Sequence, residues 1–183
     1  MVVAETERLI IRYLTVDDSL FIFKLYNTEP FIAFVGDKNI KSVEDAKKYL
    51  IEVPIRMYAQ EGVGLYLVES KNEHIPLGIC GLIKRDNLDD IDIGYGFLPE
   101  FCGLGYAYES ARAVLDYAKQ TLNLKRVVAI TTSDNMSCIR LLSKLGLVYI
   151  GIQDELLKSN VISNDDSAEN TCQRYMMLYA INF

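Results

Sequence analysis

Three strand-like segments follow one another in the middle of the chain, and only short polar turns separate them. They occupy residues 65–69, 75–83 and 90–97. Segments this short and this closely spaced are typical of an antiparallel meander. The pattern then becomes helical at 105–120, β-branched at 126–131 and helical again at 135–145. A strand, a helix and a strand in that order predict a crossover, so we expect an α+β fold that joins a meander to this unit.

The flanking regions supply the remaining elements. The same patterns predict a strand at 7–14, helices at 16–26 and 43–57, and strands at 147–152 and 174–181. Thr15 followed by Asp18 resembles a capping box and marks the start of the first of these helices. Residues 157–171 are polar and rich in turn formers, which predicts a long loop before the final strand.

Cap and stop signals set the expected helix ends. Asn27 and Pro30 are expected to end the first helix, and Pro54 predicts a kink or a break in the second. Asp134 is placed to cap the helix at 135–145, and Gly146 is placed to close it.

Length and charge limit the class of protein. At 183 residues, half of them hydrophobic, the chain suits a single domain spanning 1–183, because two cores would each be small. A formal net charge of −6 argues against nucleic acid as a partner. The first residues lack the features of a signal peptide, and no stretch approaches the ~20 apolar residues of a membrane span. We therefore predict a cytoplasmic protein with no membrane partner.

Cysteine and histidine usage argues against a metal centre. The four cysteines lie far apart without a CxxC pair, which indicates reduced thiols rather than zinc ligands or disulfides. His74 is the single histidine and sits in a polar turn, so multi-histidine metal sites are excluded by count. No metal is predicted.

The strand at 90–97 has two unequal faces. Large side chains lie on one face and little lies on the other: Ile91, Ile93, Tyr95 and Phe97 share the first, and Asp92, Gly94 and Gly96 share the second. Glycine weakens a strand interior, so two glycines indicate a bulge or a place where a ligand lies against the backbone. An extended ligand could bind there as an additional strand.

A glycine pair opens the next helix. Gly103-Leu104-Gly105 would expose backbone N–H groups at a helix N-terminus, which suits the anionic charge of a pyrophosphate. The alternative is an ordinary turn that enters a helix. A dinucleotide-binding fold fits poorly, because Tyr108 occupies the position of the third glycine in GxGxxG.

Several motifs in register resemble one family. They are residues 6–12, Ile93-Gly94-Tyr95, residues 103–109, Asn135 and residues 139–147. Together they are similar to the branch of the GNAT N-acetyltransferases that contains the ribosomal-protein alanine acetyltransferases. The resemblance implies a mixed, mostly antiparallel seven-stranded sheet with helices on both faces. It also implies acetyl-CoA as co-substrate and a primary amine as acceptor, either a protein N-terminus or a small molecule.

The resemblance also places the cofactor. The pantetheine arm would lie between two splayed parallel strands, 90–97 and 126–131. The helix that follows the second strand would also contact the arm. The implied cofactor-binding residues are Ile93, Tyr95 and Phe97 for the arm, Cys102, Gly103, Leu104, Gly105, Tyr106 and Ala107 for the pyrophosphate, and Asn135 for the arm again.

Acetyl transfer requires a base for the amine and a proton for the departing thiolate. Asp92 is the predicted base, and the alternative is an exposed strand residue in an acidic cluster with Asp89 and Asp90. Cys138 lies three residues after Asn135, where similar enzymes carry a serine that helps the sulfur leave. A thiol can donate that proton, and the alternative is a cysteine that only packs.

Three further positions depart from the family pattern. Leu142 and Ile150 replace functional groups of relatives, and Glu100 replaces a glutamine or arginine. These departures motivate an alternative function, a non-catalytic acyl-CoA-binding or regulatory module. A nucleotide-binding protein of another fold rests on the glycine pair alone. A homodimer formed through the final strands and the loop at 157–171 also stays open.

Overall fold

The computed structural model describes residues 1–152 and 175–183 of the chain. Eight strands form one sheet in these residues. They are β1 Val2–Glu5, β2 Leu9–Tyr13, β3 Leu65–Ser70, β4 Pro76–Ile83, β5 Asp92–Phe97, β6 Arg126–Thr132, β7 Val148–Ile152 and β8 Met176–Asn182. Their order across the sheet is β1-β2-β3-β4-β5-β6-β8-β7.

Six α-helices accompany the sheet in the described ranges. They are α1 Ser19–Tyr26, α2 Glu29–Val35, α3 Val43–Leu50, α4 Arg56–Glu61, α5 Tyr106–Gln120 and α6 Met136–Lys144. Short turns of 3₁₀-helix at Val16–Asp18 and Pro99–Phe101 lead into α1 and towards α5. The Thr15 N–H donates to the Asp18 carboxylate at 2.8 Å, as the predicted capping box requires.

The predicted combination of a meander and a crossover is confirmed. Strands β2 to β5 pair antiparallel with their neighbours in sequence order. Strands β5 and β6 are parallel, with α5 between them in the chain. Strands β6, β8 and β7 continue the sheet with antiparallel pairs, so the sheet is mixed and mostly antiparallel.

The predicted strand count of seven is wrong by one, because Val2–Glu5 forms an additional edge strand. It pairs antiparallel with β2, and Val2 lies opposite Arg12. Its four residues are exposed or half-buried and do not alternate. An edge strand this short carries no period-two signal, so only its pairing with β2 defines it.

Two prolines act differently from their predicted roles. Pro30 does not only follow the end of α1, because it occupies the first turn of a separate helix, α2, where its missing N–H is tolerated. Pro54 does not break the second predicted helix. The chain continues from α3 to α4 through a π-helical turn, Ile51–Ile55, which accommodates a residue without an N–H donor.

Helices cover both faces of the sheet, as predicted. Helix α5 buries Ala111, Val114 and Leu115 in a cluster with β2 to β6 on one face. On the other face, α1 and α3 contribute Ile22 and Leu50 to a second cluster. All three helices have apolar side chains at helical spacing, which is why they pack on the sheet.

None of the helices in the described ranges is long and apolar enough to cross a membrane. The loop predicted at 157–171 lies outside the described residues, as does the first predicted residue of the last strand.

Candidate active site

Strands β5 and β6 separate after a single backbone pair. Asp92 lies opposite Val128, and the Val128 N–H donates to the Ile91 carbonyl at 2.9 Å. Beyond this point β5 stays paired with β4 through Phe97, and β6 stays paired with β8 through Thr132. Residues 93–97 of β5 therefore have no backbone partner on β6 across this gap. The predicted splay between parallel strands is therefore present.

The glycines of β5 are packed against protein rather than left bare. A Cβ added to Gly94 would lie 3.0 Å from the Ile83 side chain, and one added to Gly96 would lie 3.2 Å from Phe31 of α2. The register between β4 and β5 is continuous, so the glycines do not mark a bulge there. The open feature of β5 is its unpaired edge, not its glycine face.

The loop before α5 exposes a run of backbone donors. Gly103 and Gly105 have φ angles of +78° and +86°, a region that favours glycine, and Gly105 is the N-cap of α5. Within the described chain, the N–H groups from Gly103 to Tyr108 have no backbone acceptor. Free N–H groups at a helix N-terminus form an anion site.

The predicted set of donor amides needs one correction. The Cys102 N–H donates to the Pro99 carbonyl at 3.1 Å, because Pro99–Phe101 forms a 3₁₀ turn. The Cys102 thiol points back towards the Leu98 carbonyl at 3.6 Å. Cys102 therefore cannot offer its N–H to a ligand, and the available amides begin at Gly103.

Arg8 reaches this loop from the other end of the sequence. Its Nη1 donates to the Leu104 carbonyl at 3.1 Å, and its Nε and Nη2 lie 2.7 and 2.6 Å from Glu109 Oε2. The guanidinium also lies 4.5 Å from the centre of the Tyr106 ring. Burial raises the pKa of Glu109, but hydrogen bonds from Thr6 and Arg8 outweigh it and lower the pKa overall. Arg8 thus fixes the loop, and its charge is paired with Glu109.

Asp92 is a buried carboxylate with one partner. Its exposed fraction is 1%, and its Oδ2 accepts from Arg85 Nε at 2.6 Å. Its Oδ1 has no partner of normal hydrogen-bond geometry in the described chain, although the Ile130 backbone lies close enough to Asp92 to affect its pKa. Burial raises the pKa of Asp92 to about 6, although the positive charge of Arg85, its hydrogen bond and the Ile130 backbone act in the opposite direction. Asp92 is therefore not the exposed member of an acidic cluster.

A second titratable group, the thiol of Cys138, lies in the first turn of α6. Burial raises the pKa of the Cys138 thiol, and contacts with the Thr131 and Tyr95 side chains oppose it. Cys138 also feels the negative charge of Asp92, which raises its pKa further. The Tyr95 hydroxyl is buried and lacks a partner of normal geometry among the described residues. At neutral pH both the thiol and the phenol are protonated.

Asn135, rather than Asp134, caps α6. Its Oδ1 accepts from the Cys138 N–H at 3.1 Å. This hydrogen bond fixes the first turn of α6 and with it the position of Cys138. None of the hydrogen bonds within the described residues uses the Asn135 Nδ2 group, so it could donate to a ligand.

The predicted site residues fall into two connected groups. One group belongs to β5 and the start of α6 and contains Asp92, Ile93, Tyr95, Phe97, Asn135 and Cys138; of these, Ile93 and Phe97 are buried in the hydrophobic core. The other forms the loop and contains Gly103, Leu104, Gly105, Tyr106 and Ala107. Arg8 and Arg85 were not predicted to belong to either group. A single sequence gives no signal for them, because each is defined by a partner that only folding brings close.

A cavity of about 710 Å³ adjoins the loop between α5 and the N-terminal residues. Arg8, Gly105, Glu109, Arg112 and Lys144 are among its lining residues, whereas Asp92 and Cys138 do not border it.

Across residues 1–152 and 175–183, no group of three or more His, Cys, Asp or Glu side chains could hold a metal ion.

The comparisons with known proteins identify the family. Residues 8–148 match the acetyltransferase (GNAT) domain family. The uncharacterized N-acetyltransferase YoaA of Bacillus subtilis is 27% identical over 160 residues, which cover 86% of this chain and 89% of YoaA. The chain therefore belongs to the GNAT acetyltransferase family. It is an acyltransferase, and its co-substrate is acetyl-CoA.

Solved structures show the same fold. The ribosomal L7/L12 α-N-protein acetyltransferase RimL, in complex with coenzyme A, has a TM-score of 0.79 at 14% identity, with 100% of this chain and 98% of RimL covered. The ribosomal-protein-S5-alanine acetyltransferase from Vibrio fischeri has a TM-score of 0.75 at 19% identity, with 100% and 96% covered. At these identities the likeness establishes the fold alone.

Proposed function

We propose that the chain transfers the acetyl group of acetyl-CoA to a primary amine, and that the amine attacks the thioester directly. The observation that carries the proposal is the gap between β5 and β6. A buried carboxylate, Asp92, lies where the two strands separate, and a protonated thiol, Cys138, lies near it at the start of α6. A thioester in the gap would thus have a base and a proton donor close by.

Acetyl-CoA would bind along the unpaired edge of β5 and the loop that follows. The pantetheine amides would pair with the backbone of residues 93–97, in the manner of an additional strand. The pyrophosphate would accept from the N–H groups of Gly103 to Tyr108, with the dipole of α5 adding attraction. Arg8, whose charge is paired with Glu109, would hold the loop in place through the Leu104 carbonyl. The Nδ2 group of Asn135 would contact the arm from the α6 side.

Asp92 would serve as the general base. An amine must lose a proton to attack, and a carboxylate whose pKa is raised to about 6 is both ionised at neutral pH and basic enough to accept that proton. The unpartnered Oδ1 is the oxygen available for this contact, directly or through one water. Arg85 would orient the carboxylate through Oδ2.

Cys138 would return a proton to the departing thiolate, with Tyr95 beside it. We expect Cys138→Ala to lower kcat by about tenfold or more, and Cys138→Ser to retain most of the activity, because a hydroxyl can still donate. Steady-state release of coenzyme A measures both. Equal kcat in the wild type and both variants would assign Cys138 to packing, and a large loss in Tyr95→Phe would then transfer the role to Tyr95.

The acceptor is a primary amine, either a protein N-terminus or a small molecule. The names of RimL and the Vibrio fischeri enzyme describe N-terminal acetylation of ribosomal proteins, which supports testing peptide N-termini. The replacement of Glu by Ile150 separates this chain from that branch, which supports testing small amines as well. The single domain, the cytoplasmic location and the homodimer stay predictions.

The test is release of coenzyme A thiol when the protein is incubated with acetyl-CoA and a panel of amines. The panel contains N-terminal peptides, polyamines, aminoglycosides and amino acids. We expect release with at least one class. Stabilisation of the fold by acetyl-CoA without release across the panel would instead favour the alternative, a non-catalytic acyl-CoA-binding module. Ligand at a hundred times its Kd stabilises by about 2.7 kcal/mol, which a thermal shift detects.

A further inference from the structure

The ion pair between Asp92 and Arg85 leaves hydrogen-bonding atoms of both side chains unused: one carboxylate oxygen and two guanidinium nitrogens. Asp92 contributes only Oδ2 to the pair, and among the described residues its buried Oδ1 lacks a partner of normal hydrogen-bond geometry, with the Ile130 backbone nearby. Arg85 contributes only Nε at 2.6 Å, and none of the described hydrogen bonds involves its Nη1 or Nη2. A guanidinium held through Nε presents its two terminal nitrogens as a fork, a geometry that matches a carboxylate or phosphate.

Arg85 is accessible as well as anchored. Its side chain is 36% exposed, whereas that of Asp92 is 2% exposed. It lies in the connection between β4 and β5, at the end of the gap where Asp92 and Val128 pair. The pair therefore runs from the buried position of the proposed base to the surface.

A second cation, Lys38, lies near enough to Arg85 to be affected by its charge. It is an exposed residue in the connection between α2 and α3, and its pKa is lowered by desolvation and then by the positive charge of Arg85. Within residues 1–152 and 175–183, no ion pair involves Lys38. Two neighbouring cations attract an anion more strongly than either does alone.

We propose that the acceptor carries an anionic group next to its amine, as a free α-amino acid does, and that Arg85 binds this group while Asp92 binds the amine. This inference rests on the acetyl transfer proposed above and names its acceptor class. In an α-amino acid one carbon separates the amine nitrogen from the carboxylate. The protein offers the complementary arrangement, in which the carboxylate of Asp92 and the guanidinium of Arg85 are in direct contact.

Other amine classes match these groups less well. A peptide N-terminus has a neutral amide carbonyl in place of the carboxylate, so the terminal nitrogens of Arg85 would gain only a neutral acceptor. A polyamine or an aminoglycoside would bring further positive charge to Arg85 and Lys38 and would be repelled. The charges of the site thus favour a small zwitterion over both.

The first experiment compares each α-amino acid with its own α-carboxamide, using acetyl-CoA and the wild-type protein. Rates are compared at equal concentrations of neutral amine, because the carboxamide has the less basic amine. We expect kcat/KM for the acids to exceed that for the amides by at least about tenfold, as one charge-assisted hydrogen bond provides. A ratio of one or below, with turnover present, overturns this inference and leaves the amine acetyltransferase intact.

The second experiment assigns the preference to Arg85. In Arg85→Gln the ratio of acid to amide should fall close to one while KM for acetyl-CoA stays unchanged. In Arg126→Gln, which breaks an exposed ion pair with Asp90, the ratio should stay at its wild-type value. A preserved ratio in Arg85→Gln overturns the inference.

A third variant guards against misfolding of Arg85→Gln, since that change leaves Asp92 buried without a cation. Lys38→Gln alters an unpaired side chain and should lower the ratio by a few fold without affecting stability. An unchanged ratio in Lys38→Gln, should Arg85→Gln fail to fold, overturns the inference. Absence of turnover with every amine, although acetyl-CoA binds, would overturn the proposed function itself.

Discussion

Asp92→Asn should lower kcat by about a hundredfold or more and leave KM for acetyl-CoA almost unchanged. A general base contributes about a hundredfold to ten-thousandfold to such a reaction. An amide cannot accept the proton, but its oxygen can keep the hydrogen bond from Arg85 Nε that the carboxylate makes at 2.6 Å. Because the change is nearly isosteric, cofactor binding at the edge of β5 should survive. Steady-state release of coenzyme A measures both constants.

The same residue predicts a pH dependence. A base must be ionised to act, and burial raises the pKa of Asp92 to about 6. At a fixed concentration of neutral amine, wild-type kcat/KM should be constant above that pH and should fall about tenfold per pH unit below it. Asp92→Asn should lack this decline.

Asp90→Asn is the matched control, since Asp90 is 35% exposed and pairs with Arg126 at 3.4 Å at the surface. It should retain wild-type kcat and the wild-type pH profile. If Asp92→Asn turned over as fast as the wild type, Asp92 would have no part in proton transfer. Its pair with Arg85 would then be structural.

Gly105→Val should raise KM for acetyl-CoA by at least about tenfold. Gly105 has a φ of +86°, and a left-handed conformation costs a residue with a Cβ about 1–2 kcal/mol. Its Cβ would also lie 3.3 Å from Arg8 Nη2, so the side chain displaces the guanidinium that fixes the Leu104 carbonyl. Both effects disturb the amides at which the pyrophosphate is proposed to bind.

Gly62→Val separates the loss of cofactor affinity from the loss of stability. Gly62 ends α4 with a φ of +69°, and no atom lies within 4 Å of its Cβ position. It should destabilise the protein by a similar 1–2 kcal/mol but leave KM for acetyl-CoA unchanged. Equal KM values for the two glycine variants would argue against the loop as the cofactor site.

Much of the fold could be predicted because its signals are local. Strands β3 to β6 and helix α5 have apolar patterns with periods of two or 3.6 residues, and short turns or caps separate them. Strand β1 and helix α2 could not be predicted in the same way. Four residues at a sheet edge are too few for a pattern, and a proline that could end one helix in fact begins the next.

The same distinction applies to the site. The glycine pair at 103 and 105 predicts open amides, because left-handed backbone at a helix start is a property of a few adjacent residues. The clamp on that loop joins Arg8 and Glu109, which are 101 positions apart, so no local pattern contains it. Likewise, the sequence places Asp92 among acidic neighbours, whereas its burial and its pairing with Arg85 depend on tertiary packing.

Hydrogen–deuterium exchange with and without coenzyme A tests most directly whether the cofactor binds both in the gap between β5 and β6 and at the loop before α5. The amides from Gly103 to Tyr108 lack backbone acceptors within the described residues, so they should exchange rapidly in the free protein. With saturating coenzyme A, they and those amides of 93–97 that face away from β4 should become protected, and peptides from α1 and α3 should not change. Unaltered exchange in both segments at saturation would contradict the account.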